Sequence, residues 1–267
     1  MTALPAFDAA GQGDAAVLML HGIGGGRSIW NAAASGTLQA VADAGYRALA
    51  LDLPGYGDSA PMGPPDMDAF VAAVQAVIDH VRPKRVLLLG HSMGGMVAQE
   101  FAARHAERMH GLVLTCTSAL FGKADGAWQR QFIAERLAPL DAGLGMAGMA
   151  DRLVPGLVSP AASEAARRSA RDVMARVPES TYRAALATIA GFDRREALIA
   201  IRVPTLLLAA EHDKTAPPEV MQRMASRVSG GEYVCLRDAG HIANVEAPAA
   251  FNAAVLDFLR RRFPATN

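Results

Sequence analysis

Two cysteines in 267 residues, Cys116 and Cys235, exclude a disulfide-stapled scaffold. Both stand at the ends of apolar runs, far apart in sequence, which suits a reducing compartment and predicts two small buried hydrophobes. No C-x-x-C pair and no Cys/His cluster points to zinc. An excess of either charge is also lacking: 26 basic and 26 acidic residues give a formal net charge of +0. No Lys/Arg-rich block stands out, so neither a nucleic-acid footprint nor a polybasic membrane patch is supported. Long apolar runs are missing too, and none approaches the ~18 residues of a transmembrane helix. The opening stretch MTALPAFDAAGQGDAA has no basic region and no long apolar region; the short run VLML after it reads as a strand rather than a signal peptide. The expectation is a cytoplasmic protein, monomer or homodimer, with no nucleic-acid and no membrane partner.

Hydrophobic residues make up 51% of the chain and charged residues 19%, an ordinary globular balance that excludes extended disorder. Short strand-like runs alternate with longer helical ones. Val17–Leu20, Tyr46–Leu53, Val86–Leu89, Leu112–Thr115, Thr205–Ala209 and Tyr233–Leu236 read as strands, and their lack of strict alternation suits a parallel sheet buried on both faces. In Asp68–Val81 the residues Phe70, Val71, Val74, Val77, Ile78 and Val81 recur at helical spacing, with Asp66 or Asp68 to cap the start. Gly94–Arg104 and Ala249–Arg262 read as further helices, the latter preceded by Pro248. Strand, helix, strand, repeated, predicts an α/β layer fold. Residues 120–200 break the rhythm: they look helical throughout, as an insertion riding on a core of 1–119 and 201–267.

Within that pattern, Gly90-His91-Ser92-Met93-Gly94 fits G-x-S-x-G between a strand and a helix, the nucleophile elbow. Glycine two residues to either side of the serine removes clashes that a tight strand–turn–helix would otherwise create. The helix beginning there aims free N–H groups at the site. A serine hydroxyl needs a base. His91 adjoins the serine, but neighbours across an elbow point apart, so it reads as loop support. His80, His105 and His110 lie in helical or surface contexts, and His212 competes weakly. His241, in DAGHIANVEAP between the last strand and the last helix, leads by chain order. The base needs a carboxylate, and LLLAAEHDKTAPPE offers Asp213, with Glu211 as the alternative. The order Ser…Asp…His results. For oxyanion donors, Met93 follows the nucleophile, and the glycine-rich LHGIGGGRSIW supplies Ile23 or Gly24. A phosphate-cradling role for GIGGG fails for want of G-K-[ST] and of G-x-G-x-x-G spacing. His21, Gly22, Trp30, His91 and Trp128 are the expected lining of a substrate pocket, with Trp128 open to a plain packing role.

Taken together, LHGIGGG, LDLPGYGDS, GHSMGG, EHDKTAPP and GHIANVEAP resemble the α/β-hydrolase superfamily over nearly the whole chain. The resemblance implies an eight-stranded, mostly parallel sheet with reduced N-terminal antiparallel strands, and a helical cap over residues 120–200. It also implies Ser92, Asp213 and His241 converging at the C-terminal edge of the sheet, with no metal or organic cofactor. Serine at the elbow argues against the dehalogenases and epoxide hydrolases of that superfamily, which use aspartate. The tail and the stretch VPESTYRAALATIAGFDRREALIAIRVPTLLLA are similar to 3-oxoadipate enol-lactonases and small esterases, although enol-lactonase sequences often lack the histidine present here as His21. A small-molecule ester or lactone is the substrate so implied. A carboxylated one would want a basic partner, for which Arg130, Arg136 and Arg152 are available. Carbon–carbon hydrolysis of a meta-cleavage dienone acid and cofactor-free perhydrolysis use the same triad; a non-catalytic small-molecule sensor is the reading from another class.

Overall fold

The computed structural model describes residues 4–31, 35–61, 66–122 and 126–265. Its strands are β1 (Phe7–Ala10), β2 (Ala15–Leu20), β3 (Arg47–Leu51), β4 (Arg85–His91), β5 (Gly111–Thr115), β6 (Thr205–Ala210) and β7 (Glu232–Leu236). They form one sheet in the order β1-β3-β2-β4-β5-β6-β7. β1 runs antiparallel to β3, and every other pair is parallel. Among the described residues the sheet thus has seven strands, not the expected eight. Only residues 11–14 lie between β1 and β2, with Gly11 at φ 72° starting the turn, too few for a further strand there.

The centre of the sheet is apolar on both faces because helices cover both. Leu18 of β2 pairs with Leu49 of β3 on one side and Leu88 of β4 on the other, and all three are buried. The helices of the core are α1 (Ser28–Asn31), α2 (Thr37–Asp43), α3 (Met67–Val81) and α4 (Met93–Arg104) from the first part of the chain. Asp66 caps α3 by accepting from the Ala69 N–H at 2.7 Å. α4 packs on β2, β4 and β5 and against α3.

Between β5 and β6 come α5 (Ala127–Asp141), α6 (Gly145–Leu157), α7 (Glu164–Ala175) and α8 (Glu179–Ile189), with no strand among the described residues. This helical segment is tied to the rest by the Thr181 hydroxyl, which donates to the Gly55 carbonyl at 2.9 Å, and by packing of α7 on α1. The chain then closes with α9 (Pro218–Arg227), α10 (Ala243–Glu246) and α11 (Pro248–Arg262), the last packed on α2 and β7. None of the described helices is long and apolar enough to cross a membrane.

The strand order reverses between β2 and β4, so the chain leaves these neighbours toward opposite ends of the sheet. Such a switch point opens a crevice at the carboxyl ends of the two strands. The loop Gly22–Gly25 follows β2, and Ser92 follows β4.

Candidate active site

Ser92 sits at the turn from β4 into α4 with φ 52° and ψ −117°, backbone angles that a side-chain-bearing residue rarely adopts. The turn is pinned from both sides: the Ser92 N–H donates to the Thr115 carbonyl at 3.0 Å, and the Thr117 hydroxyl donates to the Ser92 carbonyl at 2.7 Å. A methyl group on Gly94 would fall on the carbonyl oxygen of Leu20 at the end of β2. Only a glycine lets α4 begin this close to the neighbouring strand.

His241 lies in the loop between β7 and α10, and Asp213 in the loop after β6. The Ser92 hydroxyl and His241 Nε2 are 3.0 Å apart, and His241 Nδ1 and Asp213 Oδ2 are 2.9 Å apart. A carboxylate only accepts, so the His241 proton rests on Nδ1 and the lone pair of Nε2 faces the serine hydroxyl. Asp213 Oδ1 accepts from the N–H groups of Thr215 and Ala216 at 2.8 and 2.9 Å. Burial pushes the Asp213 carboxyl up, but His241 and these two N–H groups outweigh it and hold the carboxyl below its ordinary range. Glu211, the sequence alternative, is exposed and accepts from the Asp238 N–H instead. His212 is exposed as well.

His91 makes no hydrogen bond to the serine hydroxyl among those of the described residues and donates from Nε2 to the His241 carbonyl at 2.7 Å. Its Nδ1 is buried with no partner among the described residues. Burial and then the neighbouring His241 push the His91 imidazole down to about 3, so it stays neutral.

A cavity of about 670 Å³ opens over Ser92, lined by Gly22, Ile23, Gly24, His91, Met93 and Trp128 among others. Met93 opens α4, and the Gly25 N–H donating to the Gly22 carbonyl at 2.9 Å closes the turn that holds Ile23 and Gly24 at the wall. Two expected lining residues are elsewhere. Trp30 is fully buried and packs on Phe251, because α1 turns its apolar side toward α11. His21 is also fully buried; its Nδ1–H donates to the Gly22 carbonyl at 2.8 Å, and its Nε2 accepts from the Leu53 N–H at 3.1 Å. It braces the loop rather than facing the cavity. Asp52 and Asp58 both bind the Arg27 guanidinium, on the far side of the same loop.

Sequence reading named Trp128 and Arg136 but missed Phe132 between them; the three stand at four-residue steps on α5, and all line the cavity. That spacing is a signal present in the sequence. The Trp128 and Phe132 rings stack at 4.9 Å, and the Arg136 guanidinium lies 4.8 Å over the Phe132 ring. Arg152 and Lys214 also reach the wall, whereas Arg130 does not. No ion pair among the described residues engages Arg136, Arg152 or Lys214. Glu246 was missed as well: it is the lone acid of the HIANVEAP stretch, and its carboxylate accepts from the N–H groups on either side of His241. Away from the cavity, Glu211, His212 and Asp238 bring oxygen and nitrogen atoms within 4.8 Å of one another, but all three are exposed.

The sequence and the fold have counterparts among known proteins. Residues 15–248 match the family described as the alpha/beta hydrolase fold. The chain belongs to the α/β-hydrolase family. This hydrolase is 34% identical over 258 residues, 92% of each chain, to a protein of Variovorax paradoxus strain S110 provisionally named carbamate hydrolase RutD. It is 31% identical over 267 residues to the 2-hydroxy-6-oxononadienedioate/2-hydroxy-6-oxononatrienedioate hydrolase of Escherichia coli K12, across 96% of this chain and 90% of that one. The structure of the enol-lactonase from Burkholderia xenovorans LB400 superposes with a TM-score of 0.84 at 28% identity, covering 95% of each chain.

Proposed function

We propose that the chain is a serine hydrolase of carboxylic esters or lactones, working through Ser92, His241 and Asp213. The observation that carries this reading is the hydrogen-bonded line from the Ser92 hydroxyl through His241 to Asp213, at the floor of a cavity. His241 Nε2 takes the hydroxyl proton as Ser92 Oγ attacks the substrate carbonyl. The resulting oxyanion rests against the N–H of Met93 and that of Ile23 or Gly24. Collapse expels the alkoxide, which takes the proton back from His241. Water, deprotonated by His241, then attacks the acyl-enzyme and frees the acid and Ser92. Asp213 keeps its charge throughout and stabilises the transient imidazolium. Residues 120–200 act as a cap whose α5 and α6 wall the acyl pocket.

The enol-lactonase likeness supports a lactone, and the three basic side chains on the wall support a substrate carrying a carboxylate. Likeness to a hydrolase of a hydroxy-oxo-dioate favours a second reading on the same residues, carbon–carbon hydrolysis of such an acid. Parallel assays on lactone, ester and dienone acid panels separate the two. The shared mechanism is tested with p-nitrophenyl acetate. Ser92→Ala should lose more than about a thousand-fold in kcat/KM with an unchanged melting curve. Undiminished turnover by the folded variant would discard the mechanism. A fluorophosphonate probe should label Ser92 in the unmodified protein; an intact fold that resists labelling favours the sensor reading.

A further inference from the structure

We propose that Glu246 is a positioning residue that couples the seating of the cap to the placement of His241. The inference rests on the reading of His241 as the base for Ser92. An imidazole hydrogen-bonded at both ring nitrogens is oriented, but its Cα is placed by the backbone. At this loop three consecutive N–H groups are all engaged. The His241 N–H donates to the Leu157 carbonyl at 2.7 Å, and Leu157 is the last residue of α6. The N–H groups on either side, of Gly240 and Ile242, donate to Oε2 and Oε1 of Glu246 at 2.9 and 3.0 Å.

The same carboxylate reaches the cap. Glu246 Oε2 also accepts from the Ser159 N–H at 2.6 Å. The Ser159 hydroxyl donates to the Asp238 carbonyl at 2.7 Å, a second tie from cap to loop. The two segments lie in direct contact at Gly240, where a methyl group would stand 2.6 Å from the Ser159 nitrogen and 2.7 Å from the Leu157 oxygen. No Lys or Arg among the described residues pairs with Glu246. Its charge is met by three backbone donors, each a charge-assisted bond. A mere closure of the short helix α10 would account for the bond to Ile242, which stands just before that helix. It leaves the bonds to Gly240 and Ser159 unexplained. One carboxylate thus makes the end of α6 and the His241 loop a single hydrogen-bonded unit. Displacing that end, as when the cavity fills or empties, moves the imidazole relative to Ser92.

The test separates placement from stability by following fluorophosphonate labelling of Ser92, reading both the second-order rate constant and the final extent. A residue that only supports the fold lowers the extent. A positioning residue lowers the rate constant at full extent. Glu246→Ala is expected to slow labelling about 10- to 100-fold, the scale of an ångström-sized misplacement. Glu246→Gln, which keeps the shape but offers one accepting oxygen instead of two, should fall between it and the unmodified protein. Gly240→Ala, which pushes the cap from the loop with the carboxylate intact, should also be slow. If Glu246→Ala does not fold, the isosteric Glu246→Gln decides alone. Unmodified protein that labels, with Glu246 variants labelling within about 2-fold of it or losing only extent, overturns the positioning role by itself. Unmodified protein that does not label withdraws the base assignment and this inference together.

Discussion

At Ser92 the backbone is held in a region that costs a residue with a side chain about 1–3 kcal/mol, and the surrounding bonds to Thr115 and Thr117 keep it there. His91, one residue earlier, makes a different kind of demand. In the unfolded chain its imidazole takes a proton near pH 6.5. In the folded protein burial, and then His241, delay that to about 3. Between these values the unfolded chain binds a proton that the folded chain refuses, so stability falls as the pH drops through the window. His91→Asn should flatten the dependence of unfolding free energy on pH between 6.5 and 4 by roughly 1 kcal/mol per pH unit. Urea melts at pH 7, 6 and 5 measure it, and equal slopes in the two proteins would show that His91 titrates normally when folded. The Asp213 carboxyl, held low, acts in a separate window: its contribution is complete above the ordinary carboxylate range and is lost only as the pH falls below it. The tight turn at Ser92 could be read from its flanking glycines, and the meeting of Asp213 and His241 beside it from chain order. Trp30 and His21 could not be placed, because whether a residue beside the oxyanion loop faces cavity or core depends on the rotation of a four-residue helix and on partners such as Leu53.

Among the elements, the elbow helix is the most constrained. Gly94→Ala would drive a methyl into the Leu20 carbonyl, which belongs to the backbone of a central strand and cannot step aside. Destabilisation of about 3 kcal/mol is expected, read as a lower melting temperature and an earlier denaturant midpoint. A variant as stable as the parent would mean that α4 can shift away from β2. The central strands were legible because continuous apolar runs have one use in an α/β protein. β1 was not: FDAA carries no hydrophobic run, and its place comes only from pairing with β3. Cys235 was expected to be buried and is exposed, since β7 ends the sheet and shows part of its outer face. α5 was legible as a helix, but not which of its arginines turned inward. The four-residue step from Trp128 through Phe132 to Arg136 holds that information once one member is known to face the cavity.

For the molecule as a whole, the reversal in strand order sets a crevice beside Ser92, and the helices between β5 and β6 supply part of the cavity lining over it. A chain with no net charge nonetheless brings Arg136, Arg152 and Lys214, from three separate segments, to line the cavity beside Glu135. Arg136 is the best held of them, over Phe132 and against the Tyr182 phenol, whose proton burial makes harder to remove and this guanidinium makes easier. Arg136→Gln should raise KM about 10- to 100-fold for an ester or lactone bearing a carboxylate, the worth of one charge-assisted hydrogen bond. Turnover of the neutral p-nitrophenyl acetate should stay within about 2-fold. Equal losses on both substrates would place Arg136 in cap packing instead.

The two tryptophans ended up in opposite surroundings, Trp30 sealed at 0% exposure in the core and Trp128 39% exposed at the cavity mouth. The protein therefore carries two indole fluorophores with separate duties. The emission of one answers to loss of the fold, and that of the other to whatever enters or leaves beneath the helices, so occupancy and unfolding are optically distinguishable without any added dye.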